Sequence, residues 1–330
     1  MRGVVLIGLL MTHSLAGVCA ATALRTGAGA DAAKYQAWIS AAVAALELRN
    51  DANSLATAAT LSMIGKDTRL QPDMAGAASA ALDLSIRAST LAPDDAAIGW
   101  VRLRLCASSP GCDVRDAATT MRWLDPENAA AWLPTLAGAQ KDKDRVEVDR
   151  VLLAMAQGKR FDFYWNRIVV FMSDSLKSVS KRLPAGYTRS DSARLAQISG
   201  IAGAEMIPPL APLVEACREA ALGTDRRDSC LRIARSAQQG DTIIAQMLGL
   251  GMERRMLPVD SRESRALGDR RRVLEWRLAT ASKFDTSLLP WRANAEARWR
   301  LARMRTSRRE EDVVNAILRE RGVTLDPPLP

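Results

Sequence analysis

The chain has 330 residues, 48% of them hydrophobic and only 5% aromatic, and carries a net charge of +9. That length accommodates one elongated domain or two compact ones. Abundant Ala, Leu and Arg, with almost no alternating β-branched runs, argue against a sandwich or barrel and predict an all-α protein.

The first residues read as an export leader. Arg2 precedes an apolar run from Gly3 to Val18, and Val18-Cys19-Ala20 and Ala21-Thr22-Ala23 both fit a small-residue cleavage pattern. Thr12, His13 and Ser14 interrupt the run, which disfavours a membrane span, and Val18 before Cys19 disfavours a lipid anchor. Residues 1–23 are therefore expected to be removed as a signal peptide. The product is expected to be soluble, without a transmembrane segment, and periplasmic or secreted. Removal takes away His13, the single histidine, and leaves Cys106, Cys112, Cys217 and Cys230. An even number of cysteines in an exported chain predicts disulfides.

Helical periodicity and punctuation recur along the rest of the chain. Ala32–Leu48 places Trp38, Ile39, Ala42 and Leu46 on one face. Asn53–Ile64 and Met74–Leu91 follow, and Pro93 closes the latter. Asp94-Asp95 caps a helix to about Ala107, Asp113 caps one to Leu124, and Pro126 and Asn128 restart the pattern to about Gln140. Val146–Gln157 and Phe161–Leu183 complete an array over residues 24–183. The break Pro184-Ala185-Gly186 separates a basic helical region, 184–325, which continues the stack with Ser190–Glu205, Leu210–Leu222, Asp228–Gln238, Asp241–Arg255, Ser261–Phe284, Thr286–Arg303 and Glu310–Arg321. Residues 326–330 are expected to form an extended, mobile tail.

Spacing within the first half is regular. LAPDDAAIGW and LDPENAAAW are near copies, apart from one residue inserted before the Trp. Pro93 and Pro126 are 33 apart, and Trp100, Trp132 and Trp165 recur at 32 and 33. A helix–turn–helix unit of that length, with Trp in its first helix and Pro closing its second, resembles the tetratricopeptide repeat family. The family's Gly-x-x-Tyr after W-x-x-L is missing at all three positions. The resemblance implies antiparallel hairpins stacked into an α-solenoid whose concave face binds a protein or peptide. By packing alone, the three tryptophans read as core residues.

Cys106 and Cys112 flank the Ser108–Gly111 turn, and Cys217 and Cys230 flank a turn at Gly223. Packed helix axes are 8–10 Å apart, whereas a disulfide needs Cα atoms roughly 4.4–6.8 Å apart. Only the near end of a hairpin brings them that close, so Cys106–Cys112 and Cys217–Cys230 are the expected pairs.

Without histidine, neither a Ser-His-Asp triad nor a His-containing zinc site can be built. No phosphate-binding Gly-Lys loop or G-x-S-x-G elbow is present, and Gly249-Leu-Gly251 reads as a close-packing point. Carboxylate pairs remain, with Glu205, Glu215, Glu253 and Glu296 as candidates for an enzyme acting on a cell-wall polymer. From Asp225 to Arg321 there are 22 Lys and Arg against 14 Asp and Glu. There Arg270, Arg271, Arg272, Arg298, Arg300 and Arg303 lie among Trp276, Trp291 and Trp299, a set able to contact anionic envelope polymers. The leading expectation is a non-catalytic protein-interaction module, an envelope scaffold, adaptor or inhibitor. It has no cofactor, no metal and no nucleic-acid partner.

Overall fold

The computed structural model describes residues 29–64, 74–184, 190–219, 224–284 and 290–327. The expected leader, the 185–186 part of the Pro184 break and Gly223 lie outside them. Among the described residues the fold is all-α, with fifteen α-helices, two 3-10 turns and no strand. The chain forms two compact units, each assembled from separate stretches. One comprises the residues up to Gly111, Ile168–Ile207 and Leu288–Ala302. The other comprises Cys112–Arg167, Pro208–Ser287 and the residues from Arg303. Neither the Pro184 break nor the 24–183 and 184–325 division coincides with these limits.

In the first unit, α1 (Gly29–Glu47) packs on α2 (Ala52–Ile64), which also meets α3 (Met74–Leu91), α4 (Ala96–Ser108) and α9 (Asp191–Glu205). A helix covered on so many sides must bury its whole circumference. From Ser54 to Leu61 every residue of α2 is buried, and Ala56, Ala58 and Ala59 keep that surface small. Its buried hydroxyls cost little because the helix satisfies them itself. Thr57 donates to the Asn53 carbonyl at 2.7 Å, and Thr60 to that of Ala56 at 2.9 Å. The face expected on α1 is inside: Trp38, Ile39, Ala42 and Leu46 are all buried.

In the second unit, α5 (Val114–Leu124) and α7 (Arg145–Met155) both pack on the 3-10 turn Ala129–Trp132 and on α6 (Leu133–Lys141). Further along the chain, α10 (Ala211–Glu219) packs on α6, α11 (Thr224–Ala237) on α7 and α10, α12 (Ile243–Met256) on α11, and α13 (Arg262–Lys283) on α12; α14 (Pro290–Thr306) follows, and α15 (Glu310–Glu320) packs on α13. Gly249 is a close-packing point. A β-carbon there would stand 2.3 Å from the Ala234 carbonyl oxygen, so α12 approaches α11 backbone to backbone.

The two near-copy segments fold alike at their starts. Asp95, two residues after Pro93, caps α4 by accepting from the Ala97 and Ile98 amides. Asn128, two residues after Pro126, caps its 3-10 turn by accepting from the Ala130 amide. They diverge directly after the caps, where Ala96 opens an α-helix and Ala129–Trp132 forms a 3-10 turn. Trp100 is fully buried in α4, while Trp132 ends the 3-10 turn only half-buried.

The expected start at Asp228 is corrected, since α11 begins at Thr224, and so is the expected start at Phe161. Residues 161–164 are not helical, and α8 runs from Trp165 to Val179, followed by the 3-10 turn Ser180–Arg182. Phe161 and Phe163 are fully buried, and Tyr164 sits at φ 57°. The helix cannot start earlier because a carboxylate from far along the chain, Asp241, holds the amides of Phe163 and Trp165.

Candidate functional site

The three regularly spaced tryptophans lead to three different surroundings. Trp100 donates its indole N–H to the Met206 carbonyl at 3.0 Å, one turn before Arg104. Arg104 is buried and donates to the carbonyls of Glu205 and Ile207, at the end of α9. A cation there satisfies orphan carbonyls and complements the helix dipole. Burial nonetheless lowers the Arg104 pKa to about 10, against the favourable charge of Glu205. Trp165 is the first residue of α8.

Trp132 and Trp165 are both half-buried, and Trp132 is flanked by two arginines. The Arg122 guanidinium stands 4.1 Å from its ring centroid, and that of Arg150 stands 5.8 Å away. Arg122, from α5, is oriented by Thr119 at 2.8 Å and Thr135 at 3.4 Å. Burial, then the charge of Arg150, holds the Arg122 pKa below its usual value. Arg150, from α7, is gripped through two 2.6 Å hydrogen bonds by Glu147.

Helical spacing extends this into a face. Val146, Arg150 and Leu153 are at positions i, i+4 and i+7, so they form one stripe along α7. Val146 is 81% exposed and Leu153 is exposed too, as is Trp123 beside Arg122 on α5. The result is a stripe of apolar, cationic and apolar groups next to a half-buried indole. Such a face can take up apolar side chains and stack or ion-pair at its centre.

A second polar concentration lies inside the same unit. Tyr164 donates to Asp125 at 2.5 Å, Arg160 donates to Asp125 at 2.5 Å, and Arg308 donates to Asp162 at 2.6 Å. The Asn128 amide bridges the Asp162 backbone and the Tyr164 hydroxyl. Asp241 accepts from the Phe163 and Trp165 amides at 2.8 and 2.9 Å. Glu310 accepts from the Ile243 amide and donates its own N–H to the Asp241 carbonyl. Burial, reinforced by Asp162, pushes Asp241 up to about 7, and burial also raises Asp162 and Glu310. These acids bind the chain's own amides and arginines, so the network fixes the 160–165 loop to the starts of α8, α12 and α15.

The arginines expected to meet anions mostly have partners on the chain itself. Arg270 donates to Gln238, Arg272 to Asp269, Arg298 to Asp191 and Arg300 to Glu296, while Arg303 is 3.6 Å from Glu320 and Arg271 is held by Glu275. Arg298 and Arg300 belong to one compact unit and the other four to the other. Of the carboxylates considered for catalysis, Glu253 accepts from Arg235 and Gln238, Glu296 pairs with Arg300, and Glu215 is exposed.

Cys217 and Cys230 form a disulfide with their Cα atoms 5.6 Å apart, tying α10 to α11. Cys106 and Cys112 are likewise disulfide-bonded. Among the described residues no helix is long and apolar enough to cross a membrane, and no group of three or more His, Cys, Asp or Glu could hold a metal ion.

Sequence reading missed Arg122, Trp123, Val146, Arg150 and Leu153. The i, i+4, i+7 spacing within RVEVDRVLLAM was a readable signal for the stripe. The approach of Arg122 to Trp132 was not, because it depends on tertiary packing. No family model matches the chain, and no curated protein or solved structure matches it either.

Proposed function

We propose that the protein is a non-catalytic, exported interaction module that docks a protein or peptide on the α5–α7 face around Trp132. The observation that carries this is the α7 stripe Val146, Arg150 and Leu153, whose apolar members are exposed on either side of an arginine that flanks the Trp132 indole. Trp and Arg are the residue types that dominate binding energy in interfaces. Two disulfides, and the leader-like start of the sequence, support a periplasmic or secreted location. The packing of successive helices, and the matching Pro93 and Pro126 turns, support a tetratricopeptide-like stack.

A photo-crosslinking side chain placed at Val146, and separately at Leu153, tests this in envelope extracts. Val259, equally exposed on another surface, is the control position. Both test positions should capture the same discrete protein and Val259 should not. The recombinant partner should then lose binding at least about tenfold to Leu153→Asp. Identical capture from all three positions, or unchanged affinity in Leu153→Asp, rejects the reading.

A further inference from the structure

Gly251 leaves a gap on the surface of α12, and two guanidinium groups converge over it. A β-carbon built on Gly251 would stand 3.2 Å from Nη1 of Arg271 and 3.8 Å from Nη2 of Arg255, with no other atom within 4 Å. Its neighbour Gly249 is explained by packing against the α11 backbone, but no backbone approaches Gly251. Glycine weakens a helix interior, so here it makes room for guanidinium groups rather than for a helix.

Both arginines are fixed at Nε and open at their ends. Arg255, one turn further along α12, donates Nε–H to the Gly251 carbonyl at 3.1 Å. Arg271, from α13, donates Nε–H to Glu275 at 2.8 Å. Among the described residues, these are the hydrogen bonds either side chain makes. Arg218, from α10, adds a third positive charge. Burial, then Arg218 and Arg271, lowers the Arg255 pKa. Of the two guanidinium groups over Gly251, Arg271 is paired with one carboxylate, Glu275, through Nε. A planar guanidinium fork matches paired oxygens of a phosphate group, and a phosphate monoester carries about −1.5 to −2 at neutral pH.

We propose that Gly251, Arg255 and Arg271 form an oxyanion cradle that binds a phosphate group. The site is separate from the Trp132 face and stands independently of the protein-interaction reading. It also narrows the basic region: Arg270 and Arg272 on the same helix turn to Gln238 and Asp269 instead.

Arginine Nε–Hε NMR spectra of the full oxidised chain, titrated with inorganic phosphate at constant ionic strength, test the cradle. The Arg255 and Arg271 signals should shift saturably, and acetate should bind at least about tenfold more weakly. Gly251→Ala places a methyl group in the cradle while favouring the helix, so it should fold and still lose at least about tenfold in phosphate affinity. Arg255→Gln should lose as much, and Arg272→Gln should lose nothing. Flotation with phosphatidic acid vesicles, against phosphatidylcholine, distinguishes the source of the phosphate. Retention that Gly251→Ala abolishes assigns a lipid headgroup, whereas phosphate binding without retention assigns a soluble phosphate ester. Shifts that never saturate, or equal affinity in wild type and Gly251→Ala, overturn the proposal.

Discussion

The Asp241 carboxylate accepts the backbone N–H of Phe163, 78 residues earlier in the chain, at 2.8 Å. Its other oxygen accepts the Trp165 N–H at the first residue of α8. One side chain thus replaces the local N-cap that α8 lacks and fixes where the helix begins.

That placement gives stability an unusual pH dependence. Asp241 has a folded pKa of about 7 against an ordinary value of 3.8, because burial and the neighbouring Asp162 penalise its charge. The folded protein holds this proton more tightly than the unfolded chain, so stability falls as pH rises from about 4 through about 7. Asp162 and Glu310 are raised as well and act in the same sense. Asp51 and Asp191 are lowered, so the stability they add is lost only on acidification below their ordinary range. The melting temperature should therefore be higher near pH 5 than near pH 8, and Asp241→Asn should flatten the difference. A melting temperature that rises across that interval would falsify this assignment.

Arg104 makes a comparable long-range cap in the first unit. It lies in α4 and donates to two carbonyls at the end of α9, about 100 positions away. Arg104→Met keeps much of the apolar stem but leaves those carbonyls unsatisfied. A buried polar group without a partner costs about 1–3 kcal/mol. Urea unfolding should show a loss in that range. An unchanged midpoint would mean that water replaces the guanidinium without cost.

Much of the helix layout was legible because its signals are local. Asp95, Asp113 and Asn128 cap where the sequence places them. Met74–Leu91 has its expected limits, and the all-α class follows from composition. The Phe161 start of α8 was misread because its competitor, Asp241, is distant in sequence and its effect local in space. The Arg-rich third looked like one patch because charge counts ignore pairing. In the structure, Asp269, Glu275, Glu296 and Asp191 take up four of its arginines. Trp132 was legible as a landmark but not as a half-buried, arginine-flanked residue, because its surroundings depend on tertiary packing.

Gly249 and Gly251 separate two uses of glycine within three residues. Gly249→Ala would drive a methyl group into the Ala234 carbonyl and the Gln238 amide nitrogen, at 2.3 and 2.7 Å. Backbone on both sides cannot yield as a side-chain tip can, so overpacking should cost about 1–3 kcal/mol or more. Gly251→Ala meets only guanidinium ends and should leave stability equal or slightly higher. Thermal melts of the two variants side by side measure the contrast. Equal losses would show that the α11–α12 spacing adjusts freely.

The Cys217–Cys230 bond closes a short loop between α10 and α11, at a sequence separation of 13. Chain entropy gives such a loop about 3 kcal/mol of stabilisation. Cys230 is fully buried and Cys217 nearly so, so alanine at both positions removes the cross-link while keeping the site apolar. The double variant should lose about 3 kcal/mol in guanidinium unfolding. Reduced wild type should match it, because both then unfold to an unconstrained chain in that segment. Cys106 and Cys112 are disulfide-bonded too and respond to reduction, so the comparison belongs in a background carrying alanine at those two positions. If reduced and oxidised protein unfold at the same denaturant concentration in that background, the bond is a consequence of the packed hairpin and adds nothing to it.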